Sequence, residues 1–272
     1  NGHPDGAPVT AVVRASIRTA VGRDRFQARF ERAPLNPREL TGFIARDSRP
    51  MRQGVAGYDL TFSPVKSVSA LWALADPQAA ARIQRCHDLA VADALRFIER
   101  EALYTRRGRN GVRQVKTHGL VAAAFTHRDS RAGDPDLHTH VAVANKVQAV
   151  DDGAWLAIDG RLLYLANVAA SERYNTAIEQ HLTRDLGVQF VDRPDGRDVR
   201  PVREIAGVDP ALLRRWSQRD LEIRTAQGEL VGDFQRDQGR TPTPGEQHAL
   251  GQRATLETRE AKHEPRSLAE QR

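Results

Sequence analysis

At 272 residues with 40% hydrophobic side chains, the chain is long enough to bury a sizeable core and too apolar to be a disordered polymer. No apolar run approaches the roughly 20 residues of a membrane-spanning helix, and one cysteine, Cys86, excludes an internal disulfide framework and suits a reducing compartment. The net charge of +6 is carried mostly by arginine, since lysine occurs only at 66, 116, 146 and 262; this is compatible with a phosphate-bearing partner and equally with genome base composition.

Residues 9 to 31 carry Val9, Val12, Val13, Ile17 and Ala20 at the spacing of one apolar helix face. Asn36, Pro37 and Glu39 mark a second helix start, with Asn36 as N-cap, Pro37 in the first turn and Glu39 completing a capping box; that helix runs to about Arg46. In "GYDLTF", Tyr58, Leu60 and Phe62 alternate with Asp59 and Thr61, the pattern of a strand whose other face carries the polar pair. Ser63 reads as the cap of a helix with Pro64 in its first turn, ending near Asp76 and Pro77. A long helix is expected from about Gln78 to Arg100, with Ile83, Leu89, Leu95 and Ile98 among its core positions.

"RRGRNG" at 106–111 is a basic turn. "HGLVAAAFTH" reads as a strand, "RDSRAGDPD" as a polar connection, "LHTHVAVANKVQAV" as a second strand, and "DDGAWLAIDG" as a tight turn and a short strand. Asn167 opens a helix that Gly187 closes, and "VQFVDRPDGRDVRPV" is a hairpin around Pro194, Asp195 and Gly196. From Asp209 onward the chain is mostly charged helix, with a loop at "GRTPTPGEQ". The pattern is that of an α+β fold, a central antiparallel sheet covered by helices with a more helical C-terminal part. Residues 1–205 read as the core and 206–272 as a helical extension of the same domain. The Gly/Pro-rich opening at Asn1 and the uncapped end read as an interior piece of a longer protein.

The densest chemistry lies in "FTHRDSRAGDPDLHTH", residues 125–140, which hold three of nine histidines. Residues two apart in a strand share a face, so His138 and His140 point together, beside the small Ala142 and Ala144. If the two strands pair as a hairpin, His127 comes opposite them. Three imidazoles then converge with coordination positions left open, as at a catalytic rather than a closed structural metal. The plain alternative is a set of half-buried imidazoles satisfied by hydrogen bonds. Spacing does not choose among Zn, Mn, Fe, Ni or, with phosphate oxygens completing the shell, Mg.

Asp59 has two readings: a partner for the second N–H of a metal-bound imidazole, or a carboxylate facing solvent on an edge strand. Lys66 opposes the dipole at a helix start, which a bound anion would offset; solvation at the surface is the alternative. Trp72, Trp155 and Trp216 are candidate stacking platforms or core residues. Solvated or structural roles are expected for His3, His87, His118, His181, His248 and His263.

"GYDLTFSPVKSVSALW" followed by H-x10-HTH resembles the relaxase domain of the F-plasmid-type (MobF) conjugative relaxases, in the HUH endonuclease superfamily. The resemblance runs from about residue 38 to Leu186, and more loosely to "TREAK" at 258–262. It implies a palm-like sheet on which His127, His138 and His140 hold a divalent cation, Mg²⁺ or Mn²⁺, with Zn²⁺ or Ni²⁺ possible in vitro. It further implies that Asp59 orients one imidazole and helps to deprotonate the nucleophile. The implied substrate is single-stranded DNA at a transfer origin, nicked by tyrosine transesterification, with Lys66, Arg128 and Lys146 as candidate DNA contacts.

The family's nucleophile is an N-terminal tyrosine. Tyr58, Tyr104, Tyr164 and Tyr174 do not lie in a matching motif, so it is expected upstream of this chain. Other relaxosome proteins, type IV secretion coupling proteins and a C-terminal helicase are the further implied partners, in the bacterial cytoplasm and with transport to the recipient cell. Three rival readings remain: a rolling-circle replication initiator of the same superfamily, a three-His metallohydrolase, and a non-catalytic DNA-binding module.

Overall fold

The computed structural model describes residues 10–48, 54–193 and 202–259. The chain divides into two compact units, Asn1–Gly54 and Val55–Arg272.

The first unit pairs α1 (Ala11–Phe30) with α2 (Pro37–Asp47). Asn36 caps α2 as expected, its Oδ1 accepting the Glu39 N–H at 2.9 Å. The Glu39 carboxylate does not return to Asn36; it accepts from the Leu35 N–H at 2.6 Å and pairs with Arg32. The unit's core is Phe26, Leu40 and Phe43, with the Phe26 and Phe43 rings edge to face at 5.2 Å. The stripe expected to be the buried face of α1 is exposed at Val12, Val13 and Ile17, and Val9 lies outside the described residues. Burial falls instead at Gly22 and Phe26. A Cβ on Gly22 would stand 2.3 Å from Ile44, so the missing side chain is what lets the two helices meet there.

The second unit runs β1 (Gly57–Phe62), α3 (Lys66–Leu74), α4 (Pro77–Glu101), β2 (Tyr104–Arg107), β3 (Arg113–His118), β4 (Ala122–Asp129), β5 (Pro135–Ala144), β6 (Val147–Ala149), β7 (Trp155–Leu156), α5 (Gly160–Leu165), α6 (Asn167–Leu186), β8 (Phe190–Asp192), β9 (Arg203–Ile205), α7 (Pro210–Arg215), α8 (Gln218–Gln238) and α9 (Pro244–Glu257). Among the described residues three antiparallel sheets result, in the orders β1-β5-β4, β2-β3-β6-β7 and β8-β9. The basic turn at 106–111 joins β2 to β3, two strands that patterning does not show because Thr105 and Val115 alone are buried in them. The stretch expected as one strand to residue 150 is two. Asn145 turns the corner between the sheets, donating from Nδ2 to the Val55 carbonyl and accepting the Ile158 N–H.

β5 is central in its sheet. Leu137, Thr139, Val141 and Val143 are buried on one face, and His138, His140 and Ala142 lie on the more open one. The buried face joins a core with Ile83, Cys86, Ala90, Ala94 and Ile98 of α4 and Tyr174, Ala177, Ile178 and Leu182 of α6. Leu89, expected among these, lies on the exposed side of α4. Asp76 caps α4 by accepting from the Gln78 and Ala79 N–H groups, and Gly187 ends α6 with φ +71°.

α3 starts at Lys66 rather than at Ser63 and Pro64, and Val65 offers it no side-chain cap. The cap comes from β9: Glu204 Oε2 accepts the Ser67 N–H at 3.1 Å, and Ser67 Oγ accepts the Ile205 N–H at 2.9 Å. A carboxylate at the positive end of the helix is favourable, and one 137 positions away is invisible to any local sequence pattern. The expected β8–β9 hairpin is present, while its Pro-Asp-Gly turn lies outside the described residues, as do residues 260–262 of "TREAK". The C-terminal part is helical, and Thr243 and Glu246 form a capping box for α9 inside the stretch expected as a loop. Among the described residues no helix is long and apolar enough to cross a membrane.

Candidate metal centre

The register of the three-stranded sheet assembles the site. His127 pairs with His138 across β4 and β5, Thr61 pairs with His140 across β1 and β5, and Asp59 lies opposite Ala142. The three imidazole centroids form a triangle with every side 5.2 Å. One ligand nitrogen of each lies within 4.8 Å of the others, so small side-chain rotations let one cation touch all three. The expected hairpin convergence of His127, His138 and His140 is therefore found.

The second nitrogens have partners. His140 Nδ1 donates to the Asp59 carboxylate at 2.9 and 3.0 Å, with Thr61 Oγ1 3.1 Å away. His138 Nδ1 donates to the Asp136 carbonyl at 2.7 Å. Carboxylate and carbonyl oxygens only accept, so both imidazoles carry a proton on Nδ1, and in the neutral ring the lone pair left for a ligand is on Nε2. Asp59 faces solvent and also engages an imidazole, which joins the two readings of that residue.

Lys66 sits beneath the start of β5. Its ammonium donates to the Pro135 carbonyl at 2.6 Å, next to the carbonyl that orients His138. Burial pulls its pKa below the ordinary lysine range, and the charges of Asp136, Asp134 and Asp220 oppose that shift. Lys66 is therefore partly buried rather than freely solvated. The Arg128 guanidinium donates to Gln84 Oε1 at 3.0 and 3.2 Å. Lys146 stands 5.3 Å from the ring centre of Trp155, which is half exposed. Trp72 is buried in the core and has no face to offer a base, and Trp216 is half-buried at the end of α7.

The four tyrosines lie elsewhere. Tyr58 alternates with Asp59 and so points to the other face of β1; Tyr104 is in the second sheet; Tyr164 is exposed on α5; Tyr174 is buried.

One histidine has a larger role than its sequence context shows. His87 is fully buried, with Nδ1 2.8 Å from Tyr174 Oη and Nε2 2.8 Å from Thr139 Oγ1. Burial, then the charge of His138, pushes its pKa down to about 4, so it is neutral near pH 7. The available signal was its spacing from Ile83 and Ala90, which places it on the apolar stripe of α4. His181 donates from Nε2 to Asp93 at 2.9 Å, His118 is exposed at the end of β3, and His248 lies beside Gln252; His3 and His263 are outside the described residues.

A family model described as TrwC relaxase matches residues 4–272. Among curated proteins, a multifunctional conjugation protein TraI of Escherichia coli is 33% identical over 212 residues, covering 76% of this chain and 11% of that protein. The TraI of Escherichia coli strain K12 is 39% identical over 121 residues, covering 43% and 6%. The chain thus spans about a tenth or less of the length of these relatives. Among solved structures, the conjugative relaxase TrwC in a metal-bound complex with oriT DNA matches with a TM-score of 0.63 at 27% identity, over 83% of this chain and 72% of that one. A copper-bound complex of TrwC with oriT DNA matches with a TM-score of 0.62 at 26% identity, over 95% and 90%.

Proposed function

Because the chain belongs to the TrwC relaxase family, we propose that it is the DNA-nicking domain of a conjugation protein, acting on single-stranded transfer-origin DNA with a divalent cation. One observation carries this reading: three imidazoles converge on an open sheet face, two of them held in the Nδ1-protonated form that a metal ligand needs. The TrwC complexes with oriT DNA and metal support the substrate and the cation. The family match over nearly the whole chain favours this reading over a rolling-circle initiator, a metallohydrolase acting on small molecules or a non-catalytic DNA-binding module.

His127, His138 and His140 would hold the cation, with Mg²⁺ or Mn²⁺ proposed because phosphate oxygens complete the shell. When bound, it supplies positive charge to the non-bridging oxygens and to the departing 3′-oxygen. Asp59 keeps the His140 proton on Nδ1, and the Asp136 carbonyl does the same for His138. The attacking hydroxyl is that of a tyrosine other than Tyr58, Tyr104, Tyr164 and Tyr174. Its proton passes to Asp59, the proposed base, as its oxygen forms a bond to phosphorus; the bond from phosphorus to the 3′-oxygen breaks, and the released 3′-oxygen takes up a proton. The ester is exchanged rather than hydrolysed, so the same site can rejoin ends without ATP.

Arg128, which also donates to Gln84, and Lys146 are the proposed DNA contacts, with Trp155 available for base stacking. Lys66, proposed with them, would act on DNA through the strand it holds. The core is assigned to residues 1–205 and the helical extension to 206–272, where the Gln218 N–H donates to Asp134 at 2.9 Å. Relaxosome proteins, secretion coupling proteins and a helicase are the proposed partners, in the bacterial cytoplasm with transport to the recipient. The full-length protein, given single-stranded DNA of its own origin with Mg²⁺ or Mn²⁺, should form a covalent 5′ adduct that survives denaturing electrophoresis. No adduct with either ion would overturn the reading.

A further inference from the structure

Beneath the three histidines, on the other face of the sheet, a chain of buried hydrogen bonds crosses the core. It runs from Tyr174 of α6 to His87 of α4 at 2.8 Å, from His87 to Thr139 of β5 at 2.8 Å, and from Thr139 to Thr126 of β4 at 3.0 Å. Tyr174, His87 and Thr139 are all buried. A neutral imidazole has one donor and one acceptor nitrogen, and each hydroxyl has one proton. A chain continuous in donation runs in one of two senses: Tyr174 donating inward and Thr139 donating to Thr126, or the reverse. In either sense both inner residues, His87 and Thr139, donate once and accept at least once. Losing one member leaves a buried polar atom of its neighbour unpaired.

The two threonines occupy particular places. Thr139 lies between His138 and His140, and Thr126 immediately precedes His127. Side chains alternate along a strand, so the backbone that aims each imidazole outward is the backbone whose hydroxyl is tied inward. Thr126 and Thr139 are also paired across the two strands, as are His127 and His138. One buried histidine thus fixes the sheet at the points next to all three candidate ligands.

We propose that His87 is a positioning residue for the His127, His138 and His140 triad, acting through the hydroxyls of Thr139 and Thr126 across the thickness of the sheet. This rests on the metal-site reading for its functional meaning, while the geometry it asserts does not need the metal.

The test uses this chain with Thr139→Val, which keeps the β-branched shape and removes the hydroxyl, Thr139→Ser, which restores it, and His87→Gln. Val147→Ala, a buried deletion in the other sheet, is the control for simple destabilisation. The first readout is metal-free: the ¹H–¹⁵N imidazole resonances of the three histidines. The second is Mn²⁺ affinity by calorimetry. In Thr139→Val and His87→Gln all three imidazole signals should shift or broaden, and Mn²⁺ affinity should fall by about tenfold, the order seen when an outer partner of a ligand is lost. Thr139→Ser and Val147→Ala should keep both wild-type readouts. Wild-type imidazole spectra in folded Thr139→Val and His87→Gln overturn the positioning role, as does an equal change in Val147→Ala. Absence of Mn²⁺ binding in the wild type counts against the metal site and leaves the imidazole comparison to decide the positioning.

Discussion

Asp59 and His140, 81 residues apart in sequence, are diagonal neighbours on the open face of one sheet, and both carboxylate oxygens lie within 3.0 Å of the imidazole Nδ1. Strand pairing puts Asp59 opposite Ala142, whose methyl leaves the carboxylate room to reach sideways to His140. The aspartate thereby fixes which nitrogen of His140 is free. Asp59→Ala should weaken Mn²⁺ binding about 10- to 100-fold in a calorimetric titration, and Asp59→Asn by less, because an amide oxygen still accepts the Nδ1 proton. Wild-type affinity in Asp59→Ala would remove the orienting role.

Metal binding to the folded state alone should appear as thermal stabilisation. At Mn²⁺ concentrations 100 times the dissociation constant, the gain is about 2.7 kcal/mol, and a chelator should reverse it. His138→Ala removes one corner of the triangle and should abolish the Mn²⁺-dependent rise in melting temperature. A variant that keeps the full rise places the ion elsewhere.

Gly57 opens the "GYDLTF" strand opposite Ala144, and a Cβ there would stand 2.5 Å from the Val143 carbonyl oxygen. That atom belongs to the backbone of the central strand and cannot swing aside. Gly57→Ala should therefore destabilise the protein by about 1–3 kcal/mol in urea unfolding. It should also weaken Mn²⁺ binding, since displacing β1 moves Asp59 with it. Loss of stability with unchanged affinity would show that β1 shifts without disturbing the pair.

Glu204 is nearly buried where it meets the first turn of α3, and it also pairs with Arg193. Glu204→Ala leaves the Ser67 N–H without its acceptor and should cost about 1–2 kcal/mol, as other helix-cap losses do. Ser67→Ala removes the return bond to Ile205, so a double-mutant cycle should show coupling between the two sites. Strict additivity would mean that helix and hairpin are held independently.

His87 gives stability a defined acid dependence. Its pKa is pushed down from 6.5 to about 4, chiefly by burial and secondarily by His138. Below about pH 6.5 the unfolded chain takes up a proton that the folded core refuses until about pH 4. Stability from this group is therefore complete above 6.5 and is lost as the pH falls through that window, by about 3 kcal/mol in all. Urea unfolding at pH 7 and pH 4.5 should show a steeper loss for the wild type than for His87→Gln, which does not titrate there. Equal slopes would assign the acid loss to other groups.

The histidine hairpin is the part most legible in the sequence, because strand periodicity fixes which residues share a face and the two-residue spacing of His138 and His140 states it outright. Asp59 was legible as a polar residue in an apolar strand, but its partner depends on a register that only pairing sets. Ser63 and Pro64 carry every local mark of a helix start, yet α3 begins two residues later because Glu204 and the β9 backbone anchor it there. β2 and β3 escape notice because their faces are largely polar and exposed, which erases the alternation that marks a half-buried strand. The apolar spacing along α1 shows a helix, and its burial follows α2 rather than its own pattern. His87 is hidden by its type, since a histidine on an apolar stripe announces nothing until its two hydrogen-bond partners arrive from other elements.

β5 carries its core residues and its candidate ligands on alternate positions, so one register serves both. A single-residue insertion or deletion within 137–143 would exchange the faces, turning His138 and His140 into the core and Leu137 and Val141 out to water. Such a change would be lethal to folding before it touched chemistry. Length variation has an outlet close by: the pairing of β4 with β5 already shifts between His127 and Asp129, and the turn that follows is closed by Ser130 and Asp134 bonding to each other. Across descendants of this fold, the tip of the turn at 131–133 should vary in length, while Asp134, which holds the Gln218 N–H, and the spacing from His138 to Val143 stay frozen.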